Sequence, residues 1–159
     1  MTQKELSRWL RAVVIIGWCG CALLGLWLVP TIAQEAADLN PDLAYLKWPC
    51  LIFFWCALAV VIVAFGYAYK IFAEIGRDNS FCVANAHRLR IISHLALGDT
   101  VAWIVCTAVL TILAPMHPGI FLVMLAVTVL GVAITVAAAA LSHLTLKAAN
   151  LQDENDLTI

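Results

Sequence analysis

Four apolar runs decide what this chain can become. They extend from about Ala12 to Ile32, Pro49 to Phe72, Ile91 to Ala114 and Ile120 to Leu146. A helix that crosses the hydrocarbon of a bilayer needs about 20 apolar residues, and every run reaches that length. The fourth reads IFLVMLAVTVLGVAITVAAAAL without a charge, whereas the third carries Asp99. Water is absent from lipid, so backbone N–H and C=O groups must satisfy each other there, and each run is expected to be a helix. Only 12% of the 159 residues are charged, against about 25% in soluble domains. A soluble core of this size could not hide so much apolar surface. The expected fold is an all-α membrane protein, one domain over residues 1–159, with four transmembrane helices in an antiparallel bundle.

The first run resembles a signal peptide in one respect: Lys4, Arg8 and Arg11 precede it. It is too long for one, because a signal core is about 7–15 apolar residues. TIAQEA looks like a cleavage site, yet further spans follow, and a retained helix is expected.

Orientation follows from Lys and Arg close to the helix ends. With four spans, both termini share a side with the connection between the second and third. That side carries Lys4, Arg8, Arg11, Lys70, Arg77, Arg88, Arg90 and Lys147, and the other only Lys47. Both termini and the middle connection are therefore expected in the cytoplasm. Net charge near −1 gives no basic footprint for direct nucleic-acid binding.

The middle connection is GRDNSFCVANAHRLR, Gly76 to Arg90, and it is too long and polar to be a simple turn. Gly76 is expected to end the second helix. Asn79 or Ser80 is expected to cap the next by accepting bonds from its first N–H groups. Phe81, Ala84, Leu89 and Ile92 fall on one side and Asn85, His87 and Arg88 elsewhere, which predicts a short amphipathic helix over the rest of segment 74–90, leading into the third span. Phe81 is expected to tuck against apolar helix ends. Arg88 and Arg90 have two readings: anchors at an anionic leaflet, or holders of an acidic tail. The candidate tail, residues 147–159, ends LQDENDLTI, with Asp153, Glu154, Asn155 and Asp156 ahead of Leu157 and Ile159. Folding it back onto the arginine-bearing segment would pair charges and bury Leu157 and Ile159.

Inside the spans, Asp99 stands out, because a lone charge near the centre of a helix costs about 2.5–3.5 kcal/mol to insert. A contact with His94 or His143 across helices would satisfy it. His87, His94 and His143 show no metal-ligand spacing. Small residues over Gly131 to Ser142, and Gly17, Gly20 and Gly25, allow close helix packing. Cys19, Cys21, Cys56 and Cys106 fall within spans and read as small apolar residues. Only Cys50 approaches the outer face, so neither a disulfide framework nor the exposed outer cysteine pair of quinone-linked disulfide-forming enzymes is expected. No phosphate-binding loop, GxSxG or HExxH occurs, so no catalytic residue, cofactor or metal is expected.

The stretch EIGRDNSFCVANAHRLRIIS, Glu74 to Ser93, and the ending KAANLQDENDLTI, Lys147 to Ile159, resemble the bacterial membrane family called domain of unknown function 2975. The resemblance covers nearly the whole chain and its four-span layout, and implies a multi-pass protein of the bacterial cytoplasmic (inner) membrane. In that family an acidic residue commonly precedes the motif's asparagine, where Ala84 stands here before Asn85. Members are often encoded beside a small helix-turn-helix regulator. The resemblance therefore implies a non-enzymatic membrane partner that tethers or controls such a regulator through residues 77–90 and the tail. The competing expectation is a small proton- or cation-coupled transporter, a homo-oligomer, that uses Asp99.

Overall fold

The computed structural model describes residues 2–77, 79–113 and 118–156, with the side chains at 153, 155 and 156 outside that set. Four long helices account for nearly all of it: α1 (Gln3–Leu39), α2 (Pro41–Ile75), α3 (Val83–Leu113) and α4 (Pro118–Asp156). All four are long and apolar enough to cross a membrane, and between 6% and 17% of their most apolar windows is buried within the protein. The remaining apolar surface is suited to contact with lipid.

Local chemistry sets the helix ends and the π-helical turn within α1, while α2 opens with a 3-10 stretch over Pro41–Leu46. Thr2 and Glu5 form a reciprocal cap at the start of α1, Thr2 N–H to Glu5 Oε2 at 2.9 Å and Glu5 N–H to Thr2 Oγ1 at 3.3 Å, which satisfies two orphan donors. Within α1, Leu24–Leu28 is a π-helical turn, just ahead of Pro30. Proline has no N–H to give and clashes with the carbonyl four residues back, so the wider turn accommodates it. Val29 N–H then bonds Leu24 O instead of Gly25 O. The freed Gly25 carbonyl accepts from Trp55 Nε1 of α2 at 2.9 Å. A defect in one helix thus becomes a joint to the next.

Each neighbouring pair runs antiparallel, and two of the three pairs are tied by side chains that bond the partner's backbone. Between α1 and α2, Ser7 Oγ donates to Phe72 O at 2.6 Å, and Trp18 Nε1 to Ile62 O at 3.3 Å. Between α3 and α4, Ser93 Oγ donates to Thr135 O at 2.9 Å, and Ser142 Oγ to Ala86 O at 2.8 Å. Between α2 and α3, Phe53 and Trp103 meet edge to face with ring centroids 5.3 Å apart. Where helices come closest there is no room for a Cβ: Gly17 faces the Phe65 ring, Gly25 faces Leu58, and Gly131 faces Thr100.

The antiparallel arrangement takes an open form. Among the described residues each helix approaches only the helix before and the helix after it, and α1 does not reach α4. The molecule is an open antiparallel row. Lipid solvates apolar faces as well as a neighbouring leucine does, so no hydrophobic force closes the ring.

Candidate functional site: the end that carries the middle connection

All four helices are tied together at one end. Ser7 of α1 is fully buried, bonded to Phe72 of α2 and packed where a Cβ on Gly76 would lie 2.7 Å from its Oγ. Gly76 does end the helix, with φ of −69°, a right-handed conformation open to any residue. It is therefore glycine for the close approach of Ser7, not for backbone freedom. Glu74, at the end of α2, lies 3.6 Å from Arg77 and 3.9 Å from Arg88 of α3. Arg88 Nη1 donates to Asn85 Oδ1 at 2.9 Å. Asn85 Nδ2 in turn donates to the carbonyls of Asn79 at 3.3 Å and Ser80 at 3.1 Å. Ser142 of α4 completes the set through Ala86.

Asn85 is the hub, and it is only 1% exposed. One amide spends its donor end on two connection carbonyls and its acceptor end on a guanidinium. Buried polar groups cost free energy unless bonded, and this one is bonded on both sides. The Glu74 and Arg88 side chains are 21% and 23% exposed, so their attraction is screened less than that of a surface pair. Arg77 is 75% exposed and contributes about 0–1 kcal/mol at most.

Several expectations change here. Helix α3 begins at Val83 and runs unbroken into the span, so among the described residues 83–90 form its first turns. Its inward face is Asn85, Ala86 and Ser93; Ala84 is exposed and Phe81 does not tuck in, being 58% exposed. Asn79 and Ser80 do not cap α3 with their side chains among the described bonds; Asn85 reaches back and holds their carbonyls. Arg88 is drawn inward to Glu74, while Arg90 and His87 stay exposed. Through Asp156 the ending does not fold back: α4 continues without a break to that residue, carrying Asp153, Glu154, Asn155 and Asp156 onward along its axis. Leu157 and Ile159 lie outside the described residues. Within the span, Asp99 is half-buried, and His94 and His143 are exposed. The imagined contact of either histidine with Asp99 is not formed among the described hydrogen bonds and ion pairs. Ser7, Glu74 and Ser142 were not singled out from the sequence. An acidic residue and an arginine flanking one connection, as Glu74 and Arg88 do, was the available signal.

The class of protein is now defined: a multi-pass α-helical membrane protein whose helices are knit by polar contacts at the end bearing its longest connection. The chain belongs to the family described as "Protein of unknown function (DUF2975)", whose model matches residues 31–159. It is similar to "Uncharacterized membrane protein YoaS" of Bacillus subtilis (strain 168), at 29% identity over 150 residues, covering 93% of this chain and 93% of that protein. No solved structure matches it.

Proposed function

We propose that this chain is a membrane-anchored, non-enzymatic interaction protein whose connection end faces the cytoplasm and docks a soluble partner. A small helix-turn-helix regulator is the partner that the family resemblance suggests. The observation that carries the reading is the buried Asn85 hub, which orders an otherwise polar connection. Holding a connection rigid reduces the ordering a partner must impose, and so favours docking. The surface so held presents Phe81, His87 and Arg90 outward, beside the extension of α4 past Leu146. Charge placement supports the sidedness, with eight of nine Lys and Arg residues on the connection side.

The test is co-purification of the tagged full-length protein from its native membrane with the candidate regulator. Arg90→Glu reverses an exposed charge without touching the hub, so capture should be lost while the protein stays folded. Deleting residues 153–159 should weaken it as well. Capture unchanged in both variants would count decisively against this surface. The competing reading is coupled transport, favoured by a carboxylate in the third span with no partner among the described residues. Under it those two variants would be silent, and Asp99→Asn would abolish proton-linked flux in vesicles.

A further inference from the structure

Two of the six cysteines, Cys50 and Cys106, line one groove between α2 and α3, away from the connection end. The edge-to-face pair of Phe53 and Trp103, with planes at 81°, fixes the local register of α2 against α3. Because the helices are antiparallel, one turn further from the connection brings Cys50 on α2 and Cys106 on α3 to matching height. Residues three apart share a helix face, so both cysteines lie on the side where the two helices meet. They line the same groove, with Leu46, Pro49, Val105 and Val109. Both are free thiols of intermediate exposure. The other four are differently placed. Cys19 is exposed and Cys21 buried on the same helix, Cys56 is exposed, and Cys82 lies at the connection. No third metal-ligating residue joins Cys50 and Cys106 among the described residues, so the pair is a dithiol rather than a multi-ligand metal centre.

We propose that Cys50 and Cys106 are a redox-active dithiol that closes to a disulfide, with a lipid-soluble quinone as the electron acceptor. Both S–H bonds break and one S–S bond forms. Two electrons and two protons pass to the quinone, which leaves as the quinol. The groove explains the class of oxidant: its walls are apolar and it borders lipid, so it admits a ring compound dissolved in the bilayer. It also lies in the half of the membrane that the charge pattern turns outward, the side where disulfides persist. Closure would staple α2 to α3, whose only other described polar tie is the Glu74–Arg88 pair at the opposite end. The proposal shares its sidedness with the docking function but none of its residues.

The full-length protein in vesicles of its native lipids is treated with a short-chain quinone. It is then quenched in detergent with a thiol-alkylating reagent, so that burial does not limit access. Peptide mapping should show Cys50 and Cys106 losing alkylation together and appearing as one linked peptide, reversed by dithiothreitol. Cys19, Cys21, Cys56 and Cys82 should stay alkylated. Cys50→Ser should leave Cys106 fully alkylated, while the wild-type map needs no variant to fold. Full alkylation of both after quinone, or linkage of either to a different cysteine, overturns the proposal. So does linkage by a water-soluble oxidant but not by quinone.

Discussion

Replacing Asn85 with alanine should lower the stability of the membrane-embedded fold by about 3 kcal/mol, since each buried group left without its partner costs about 1–3 kcal/mol. Three contacts are lost at once: the carbonyls of Asn79 and Ser80 lose their donor, and Arg88 loses its nearest acceptor. Water can reach part of this end, so the loss stays below the sum of three full penalties. The measurement is equilibrium unfolding in mixed micelles, with the midpoint compared to wild type. Asn85→Asp separates the two halves of the hub. The carboxylate keeps Arg88 but turns acceptor oxygens toward two carbonyl oxygens, so the connection should loosen although the guanidinium contact survives. If the docking reading is right, both variants lose partner capture. A change below about 0.5 kcal/mol, the range of ordinary surface substitutions, would remove Asn85 from its central place.

Gly131→Leu should be comparably damaging at the other kind of joint. Thr100 is 4% exposed, and its hydroxyl is bonded to Ala96 O at 2.7 Å. Even an alanine Cβ at position 131 would overlap that hydroxyl. Thr100 cannot turn away without giving up its bond, so α3 and α4 must separate. Overpacking of this kind costs about 1–3 kcal/mol, and leucine lies at the upper end. The same unfolding experiment reads it. Gly131→Ala combined with Thr100→Ala should recover most of what Gly131→Ala alone loses, because the two residues share one space and their effects are coupled. Simple addition of the two losses would contradict close packing here.

The helices were legible because lipid leaves the backbone no alternative. The four runs from Ala12 to Leu146 had to be helical, and the structure has four helices of spanning length. The joints were far less legible. Phe81 and Ala84 were expected inside and Asn85 outside, by the logic of a protein in water. In a membrane protein that logic weakens, because an apolar residue loses little by facing lipid while a polar one gains by bonding a neighbouring helix. Asn85, Ser7, Ser93 and Thr100 accordingly fill buried positions. The open row escaped the sequence for the same reason, since periodicity marks an apolar face without saying whether lipid or protein covers it. Trp55 and the π-turn at Leu24–Leu28 were beyond reach too. Only the fold shows that Pro30 follows a π-turn and which side chain takes the freed carbonyl.

A cytoplasmic docking surface requires Asn79 to face the inner side of the membrane. Asn79 is exposed, so a cysteine there, in a Cys82→Ser background, can be probed with an impermeant maleimide on intact cells. Cysteine at Asn40, exposed between α1 and α2, is the reciprocal control. The account predicts labelling at position 40 in intact cells and at position 79 only after permeabilisation. Labelling of position 79 in intact cells would place the Asn85 hub outside and contradict a cytoplasmic docking surface.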